Sequence, residues 1–317
     1  MRKLYLIKNP EVFQGGKYLN SNINYFEGYY FKNVVNDFVI SFIPGISINN
    51  GKKGAFIQVV TKKESWYVNY NIDDFEYNND PFWIRIGNNY FSENRIHIDI
   101  EDRDLELKLF GDLKYSKGIN INKKIIFPNI MGIFSYIPFM ECNHAILKME
   151  NKVSGFISLN DKKIEFLDGV GYIEKDYGKS FPKRYIWGEG NCFKNKNCSF
   201  MFSIADISFK IFNFKGLICS LIVNDKEYRF ATYNFSKIEK FEIENGKVNI
   251  ILKKRKYILE IECDNNNSLM LKAPVNGSMA KEIFESVDSV IKVTLKKKNK
   301  VIFSDISNNC GLEIVNE

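Results

Sequence analysis

The chain has 317 residues, of which 15% are aromatic and 26% are charged, with a formal net charge of +7. This length suits about two domains, and the ordinary charged fraction excludes a chain that is disordered throughout. No apolar run approaches the roughly 20 residues of a membrane-spanning helix, so the composition also excludes a helical transmembrane protein.

The basic excess is spread along the chain in small groups such as residues 253–256 and 296–298. We expect these lysines on solvated strand edges, where they discourage pairing between edges. A weak attraction to anionic surfaces, including peripheral contact with a membrane, is the second expectation. No nucleic-acid-binding motif accompanies the charge, so nucleic acid is not an expected partner.

Cysteine and histidine usage indicates neither a metal site nor secretion. None of the six cysteines forms a Cys-x-x-Cys pair, and the two histidines lie far apart, so metal-ligand spacing is absent. The N-terminus lacks the apolar core of a signal peptide. We therefore expect no metal and a cytoplasmic protein with reduced thiols, although Cys192 and Cys198 could face each other across a hairpin.

Alternation of apolar and polar residues between Asn, Gly, Asp and Lys turns predicts an all-β chain. Hairpins are predicted at residues 95–110, 154–166 and 247–262. Only residues 278–289 have helical spacing, with their apolar side chains near one face. The expected fold therefore contains one or two short helices.

The order of the predicted elements repeats along the chain. Residues 37–43 resemble 199–205, residues 68–75 resemble 231–238, and residues 156–166 resemble 292–303. This repeat implies two tandem antiparallel β-barrels, with domains of residues 1–183 and 184–317. Closed barrels leave no unpaired strand edges, and eight to ten strands enclose room for one small ligand.

The first segment that departs from plain alternation is YFEGYYFK, residues 25–32. In an extended strand Glu27 and Tyr29 share one face, and Tyr30 lies on the other. A carboxylate in an aromatic strand either faces solvent or is buried with partners, and burial raises its pKa.

The second segment is IPFMECNHAIL, residues 137–147, where Glu141, Asn143 and His144 cluster. It is either a polar loop or an orienting cluster at a barrel mouth.

The third segment is GVGYIEKDYGKSFPKRYIWGEGN, residues 169–191. Glu174 and Asp176 share one strand face and Lys175 lies on the other. Two carboxylates one pleat apart repel, so one of them can stay protonated. A domain junction stabilised by salt bridges is the alternative interpretation of this segment.

Taken together and in this order, residues 25–32 and 137–191 resemble the tocopherol cyclase family. The long block of Glu-Lys-Asp/Asn, an aromatic residue and Gly-x-x-Phe-Pro is far more specific than a short motif. The resemblance implies a fold related to carotenoid-hydratase-like proteins, which have two lipocalin-like β-barrels, in agreement with the repeat. This chain departs from the family where Tyr29, Tyr177 and Tyr185 replace a common Trp and where Glu189 replaces a common Gln.

The resemblance implies acid-catalysed cyclisation of a prenylated hydroquinone or similar isoprenoid, without a redox cofactor. An acid protonates the alkene, and the phenol oxygen closes the ring on the tertiary cation. Such a site is dry, holds a protonated acid and offers aromatic faces to the cation. Glu174 is the first choice for the acid and Glu27 the second; because relatives have Asn at position 176, Asp176 is not expected to be indispensable.

We expect one pocket at the junction of the repeats, in which the two aromatic strands meet. The expected catalytic residues are Glu174, Lys175, Asp176 and Glu27, and the expected substrate-binding residues are Tyr29, Tyr30, Glu141, Asn143, His144, Tyr185, Trp187 and Glu189.

Two other functions remain open: a non-catalytic lipocalin-like carrier of an apolar molecule, and another enzyme on this scaffold such as a hydratase. A buried carboxylate beside the cavity favours an enzyme. A wholly apolar cavity, or a packed wall between Glu27 and Glu174, favours a carrier. In each case the expected partner is a hydrophobic small molecule, and no obligate protein partner is inferred.

Overall fold

The computed structural model describes residues 2–137, 140–195, 197–209 and 212–316. Nearly all of the regular structure in these residues is antiparallel β-strand, in two large sheets. The prediction of an all-β protein with two tandem antiparallel barrels is therefore confirmed.

The first sheet has eleven strands. In chain order they are β1 (Tyr25–Val35), β2 (Phe38–Asn49), β3 (Lys52–Thr61), β4 (Ser65–Asn71), β5 (Phe75–Asn79), β6 (Phe82–Ile86), β7 (Asn89–Ser92), β8 (Arg95–Asp102), β9 (Leu107–Tyr115), β10 (Cys142–Leu159) and β11 (Lys162–Gly178). β1 pairs with both β2 and β11. The sequence neighbours β4 and β5 are the two ends of the sheet, which curls into a nearly closed barrel.

The second sheet has ten strands. They are β12 (Tyr185–Gly190), β13 (Cys198–Phe209), β14 (Phe212–Val223), β15 (Lys226–Ala231), β16 (Lys237–Glu244), β17 (Lys247–Lys254), β18 (Tyr257–Asp264), β19 (Ser268–Val275), β20 (Ser278–Lys297) and β21 (Lys300–Val315). β12 pairs with both β13 and β21, as β1 pairs with β2 and β11. β15 and β16 are the ends of the main path, and β19 adds to β20.

The two sheets repeat one topology, as the internal sequence similarity predicts. Each begins with a strand that pairs with the last strand of its own sheet. Each is interrupted after its fourth strand by a single 3-10 turn, at Ile72–Asp74 and at Thr232–Asn234. These turns lie in the similar sequences 68–75 and 231–238. The sheets span residues 25–178 and 185–315, and the proposed domain division at residue 184 stays a prediction.

The three predicted hairpins are present as β8–β9, β10–β11 and β17–β18. The turn between β10 and β11 is made by Asn160 and Asp161, both with positive φ. The predicted alternation holds in burial as well, because the isoleucines of β8 and the leucines of β9 face the core of the first barrel.

The predicted helix at residues 278–289 is wrong, because these residues begin β20 and pair with β19. Asn276 and Gly277, both with positive φ, form the turn that joins the two strands. Asn-Gly is a strong hairpin signal, and the spacing of apolar residues here also fits a strand whose alternate side chains are buried. Gly277 has no room for a side chain, since a Cβ would lie 2.0 Å from the carbonyl oxygen of Ile48 in the first sheet.

The described helices are one α-helix, α1 (Arg2–Lys8), and the 3-10 turns Gly15–Lys17, Ile72–Asp74, Gly132–Tyr136 and Thr232–Asn234. No helix in the described part of the chain is long and apolar enough to cross a membrane. All six cysteines are free, so Cys192 and Cys198 are not paired.

Each barrel has its own apolar core, and two further clusters join the sheets. One joining cluster brings together Tyr30 and Tyr172 of the first sheet with Trp187 and Met201 of the second. Because burial of apolar surface is the main stabilising contribution, these clusters hold the faces of the two sheets together. The candidate site lies at this junction.

Candidate functional site

The register between β1 and β11 separates the charged residues of the third segment onto two faces. Tyr29 lies opposite Lys175, and Tyr30 lies opposite Glu174. Directly opposed residues of an antiparallel pair share a face, and successive residues alternate. Lys175 with Tyr29 therefore faces the interior of the first barrel, and Glu174 with Tyr30 faces the second sheet.

On the inner face, Glu27 is 1% exposed and is fully supplied with hydrogen-bond donors. Its carboxylate accepts the backbone N–H groups of Gln14 at 3.0 Å and Gly15 at 2.7 Å. It also accepts the hydroxyls of Tyr25 at 2.6 Å and Tyr29 at 3.2 Å. Glu27 thus holds residues 14 and 15, which precede β1, against the first sheet.

Lys175 is fully buried and is the ionic partner of Glu27, with 2.6 Å between Nζ and Oε1. The ammonium also donates to the backbone carbonyls of Pro10 at 3.1 Å and Val12 at 2.7 Å. Burial lowers the pKa of Lys175, and the neighbouring Glu27 carboxylate opposes that effect. These contacts make Lys175 and Glu27 a structural ion pair.

The expectation that Glu27 and Glu174 share one cavity is wrong. Glu27, Tyr29 and Lys175 face the apolar core of the first barrel, where the ring of Tyr29 stacks on Phe82 with centroids 5.0 Å apart. The backbone of β1 and β11 stands between this core and Glu174. Strand alternation is the physical reason, since neighbouring residues cannot both reach the same face.

The pocket lies on the other face, between the sheets, and its wall is mostly apolar with a few polar groups. Its lining residues are Met131, Phe134, Met140, Glu141, Cys142, His144, Glu174, Asp176, Phe181, Pro182, Tyr185, Trp187, Ser203, Ala205, Asp206, Ile207, Ser208, Phe214, Gly216, Leu217, Ile218 and Glu313. This combination is typical of a small-molecule site.

Glu174 is the most deeply buried carboxyl group of this wall, with 4% of the residue exposed. Its Oε2 accepts the hydroxyl of Tyr172 at 2.6 Å and the indole N–H of Trp187 at 3.1 Å. Burial raises the pKa of Glu174 to about 8, and the nearby Asp176 acts in the same direction, while His144 and the bond from Tyr172 oppose it. The group therefore retains a proton near neutral pH.

His144 lies between the two carboxyl groups of β11. Its Nδ1 is 2.9 Å from Oδ1 of Asp176, and its Nε2 is 3.4 Å from Oε2 of Glu174. Burial alone would lower the pKa of His144, but the Asp176 carboxylate in contact with Nδ1, together with Glu174 whenever it is ionised, outweighs burial and raises the pKa to about 9. Nε2 has no hydrogen-bond partner among the described residues and is buried beside the pocket. It is the polar atom that a ligand or a water molecule could satisfy.

A second carboxyl pair, Glu285 and Glu313, lies on the second sheet, and Glu313 lines the pocket. The two residues lie directly opposite each other on β20 and β21. The hydroxyl of Tyr185 donates to Glu313 at 2.7 Å, and that of Tyr30 donates to Glu285 at 2.6 Å. Burial raises the pKa of both groups, that of Glu313 to about 7. Two buried carboxyl groups side by side oppose each other's ionisation, which favours a proton on the pair.

Sequence reasoning missed both of these carboxylates. Glu285 lies in residues 278–289, for which the sequence predicts a helix, and a helix there does not place Glu285 opposite Glu313. The repeat offers a signal for Glu313. In each sheet an aromatic residue of the first strand lies opposite a glutamate of the last strand: Tyr30 opposite Glu174, and Trp187 opposite Glu313.

The remaining predicted binding residues are divided between the pocket and its surroundings. Tyr185, Trp187, His144 and the exposed Glu141 line the pocket. Tyr30 lies behind the wall, with its ring edge-on to Trp187 at 5.5 Å.

Asn143 and Glu189 are not among the described residues that line the pocket. The amide of Asn143 donates to the carbonyl of Tyr177 at 3.5 Å. Glu189 forms a fully buried ion pair with Lys32 of the first sheet and accepts the backbone N–H of Gly311 at 2.8 Å. This pair joins the two sheets.

Among the described residues there is one possible metal-ligand set, which the spacing along the chain does not show. Donor atoms of His144, Glu174 and Asp176 all lie within 4.8 Å of one another. However, Oε2 of Glu174 already accepts hydrogen bonds from Tyr172 and Trp187. The expectation of no metal stays a prediction.

These features define a two-barrel protein of lipocalin-like type with a carboxyl-rich pocket between its sheets. The chain belongs to the tocopherol cyclase-like family, whose model matches residues 115–315. This confirms the resemblance seen in the sequence. No curated protein is similar enough in sequence to be matched.

Solved structures share the fold at low sequence identity. A protein described as an AttH candidate from Nitrosomonas europaea is 11% identical, with a TM-score of 0.51, and 93% of each chain is covered. The structure of CghA with Sch210972 is 8% identical, with a TM-score of 0.52, covering 92% of this chain and 88% of the other. Kievitone hydratase from Nectria haematococca is 10% identical, with a TM-score of 0.49 and coverage of 96% and 93%. The first two show that the fold is shared. The chemistry is therefore argued from the residues of the site.

Proposed function

We propose that the protein is an acid catalyst that cyclises an apolar small molecule of the prenylated hydroquinone class, with Glu174 as the proton donor. The observation that carries this proposal is a buried carboxyl group that holds its proton near neutral pH in an otherwise largely apolar pocket. Membership of the tocopherol cyclase-like family supports the same chemistry.

The first step is the transfer of the Glu174 proton to a trisubstituted alkene of the substrate, which forms a tertiary cation. The aromatic faces of Trp187, Tyr185 and Phe134 line the pocket and stabilise positive charge. His144 is protonated at neutral pH, since its pKa is raised to about 9. Its imidazolium, 3.4 Å from Oε2, stabilises the carboxylate that Glu174 becomes.

The second step is ring closure, in which the phenol oxygen forms a bond to the tertiary carbon and loses its proton. We assign that proton to the ionised form of Glu313, which lines the pocket, while the neighbouring Glu285 keeps the proton of the pair. The substrate and the product are isomers, so the reaction needs no oxidant or reductant. Exchange with solvent at the pocket mouth restores both acids.

The test is Glu174→Gln, which keeps the shape of the side chain and removes its acidic proton. General acid catalysis contributes roughly 100-fold to 10,000-fold, so we expect turnover of a prenylated hydroquinone to fall by at least about 100-fold. The dissociation constant of the substrate, measured by the quenching of tryptophan fluorescence, is expected to stay within a few-fold of that of the parent protein.

The matched control is Glu150→Gln, because burial also raises the pKa of Glu150, to about 7, on the neighbouring strand β10. Glu150 is not among the described residues of the pocket wall, so turnover is expected to stay unchanged. Equal turnover by Glu174→Gln and the parent protein would show that Glu174 is not the acid.

A non-catalytic carrier is the second candidate, and the apolar majority of the pocket wall favours it. The packed wall between Glu27 and Glu174 also favours it, because Glu27 is not among the described residues that line the pocket. Mass spectrometry of ligands that co-purify with the parent protein separates the two functions. A carrier releases an unchanged molecule, and the proposed enzyme releases a chromanol.

We also propose a cytoplasmic location, which the free cysteines support.

A further inference from the structure

We propose that the protein docks on an anionic membrane through an apolar surface beside the pocket mouth. We call this surface the apolar rim and define it as residues 125–127 with Ile133 and Phe235. The inference goes beyond the reaction, because it concerns where the protein meets its ligand, and it can be tested without any substrate.

The first part of the rim is a tight turn with two isoleucines at its tip. Lys124 and Phe127 exchange backbone hydrogen bonds of 2.9 and 3.0 Å, which leaves Ile125 and Ile126 as the two central residues. Such positions usually carry Gly, Asn, Asp or Pro. Here the residues are 80% and 62% exposed. Neither the turn nor the core accounts for large apolar side chains at this place.

The second part is Phe235, which is 90% exposed and follows the 3-10 turn Thr232–Asn234. Its φ of +62° lies in the left-handed region, where bulky residues are uncommon. The backbone therefore holds a large aromatic ring out of the protein in a conformation that Gly or Asn would adopt at lower cost.

The two parts are connected by aromatic packing. The ring of Phe127 stacks on that of Tyr233 with centroids 5.2 Å apart, and the hydroxyl of Tyr233 donates to the carbonyl of Ile130 at 2.9 Å. Both exposed groups lie within two residues of this stack, and we take them as one surface. Contiguous exposed apolar surface marks an interaction site more often than scattered single residues do.

The rim continues into the pocket. Phe134 packs its ring edge-on against Tyr233 at 6.2 Å, packs against Phe214 at 5.9 Å, and lines the pocket together with Phe214. Ile133, which is 43% exposed, adjoins Phe134. An apolar ligand can therefore pass from a membrane along the rim to the pocket wall without crossing bulk water.

The charge around the turn favours an anionic membrane as the occupant. Lys123 and Lys124 are exposed and directly precede the isoleucines, with Glu11 3.9 Å from Lys123. The exposed Lys237 follows Phe235 by two residues, and the whole chain carries a net charge of +7. Lysines attract anionic headgroups while apolar side chains insert between them. A second copy of this chain would bring like charges together.

The experiment measures sedimentation of the full-length protein with vesicles of equal parts phosphatidylcholine and phosphatidylglycerol. The double variant Ile125→Ser with Ile126→Ser, and separately Phe235→Ser, are each expected to weaken binding by about tenfold or more. Leu167→Ser is the matched control, because Leu167 is 76% exposed on β11 and lies outside the rim. It is expected to bind as the parent protein does.

Lys124→Gln sharpens the test, since it is expected to weaken binding to these vesicles but not to vesicles of phosphatidylcholine alone. The proposal is overturned if the parent protein does not sediment with the anionic vesicles, or if Leu167→Ser weakens binding as much as the rim variants. It is also overturned if light scattering shows a dimer that the rim variants abolish, because the rim is then an interface between copies. Thermal unfolding of each variant identifies loss of folding.

Discussion

The two faces of the strand pair β1–β11 each bury a glutamate, but they supply it with different partners. Glu27 is 1% exposed and has an ammonium group 2.6 Å away and backbone N–H donors. Glu174 is 4% exposed and has two side-chain donors, an imidazole that is not hydrogen-bonded to it, and other carboxyl groups nearby. Burial alone therefore does not distinguish a carboxylate held in an ion pair from a carboxyl group that keeps its proton.

The difference lies in whether the surroundings stabilise the charge. A carboxylate with an ion-pair partner and several N–H donors is stable as an anion. One that lies among apolar groups and like charges is more stable with its proton. Neighbouring residues of one strand can thus serve folding and chemistry separately, because alternation points them to opposite faces.

The largest effect is expected from breaking the structural face with Lys175→Met. The variant leaves the Glu27 charge buried without its cation, and removal of one member of a buried ion pair typically costs about 3–5 kcal/mol. We expect a loss of this order in the free energy of unfolding, measured with a chemical denaturant. Lys163→Met, which breaks the exposed pair with Glu165, is the control and is expected to cost at most about 1 kcal/mol. Loss of turnover with unchanged stability would contradict a structural role for Lys175.

A smaller effect, which depends on pH, is expected on the other face. Because the pKa of Glu174 is raised in the folded protein, the folded state holds a proton that the unfolded chain releases. Stability due to this proton is fully present below the unfolded pKa of 4.5 and is lost as pH rises toward about 8. Glu174→Gln has no such loss.

The parent protein is therefore expected to lose stability relative to Glu174→Gln as pH rises, by at most about 1.4 kcal/mol per pH unit. The interval from about pH 5 to about pH 6 is the cleanest, because there His144 is mostly protonated in both the folded and the unfolded protein. Denaturant titrations of both proteins across this interval provide the measurement. A difference in stability that is independent of pH would show that the pKa of Glu174 is not raised.

Much of the fold could be predicted from local sequence because alternation and turn residues act over short distances. The hairpins β8–β9 and β17–β18 were visible in this way, and the repeat predicted a shared topology. The segment 278–289 was misread because its apolar spacing fits both a helix and a strand. Pairing with β19 makes this segment a strand. The Asn-Gly turn at residues 276–277, directly before the segment, is the signal in the sequence that indicates a hairpin.

The site was less predictable, because it depends on contacts between distant parts of the chain. Alternation correctly divided Glu174 from Lys175, yet both were expected to be catalytic. Glu313 lines the pocket from β21, and its partner Glu285 lies on β20; both strands come more than 100 residues after Glu174. The resemblance selected Glu174 as the acid, but no local pattern shows which barrel face meets the other sheet.

The smallest expected effect comes from Tyr172→Phe, which removes a single donor from Glu174. The hydroxyl of Tyr172 donates to Oε2 at 2.6 Å, and this bond lowers the pKa of Glu174 because it favours the ionised form. Without this bond, the pKa of Glu174 is expected to rise by up to about one unit. NMR titration of the glutamate carboxyl carbons measures this change. Tyr115→Phe is the matched control, since Tyr115 is also buried but donates to Asn33 at 2.8 Å in the first barrel; the pKa of Glu174 should not change there. If both variants leave the pKa of Glu174 in place, burial and the neighbouring carboxyl groups alone determine it, and the contrast between the two faces does not depend on their hydrogen-bond donors.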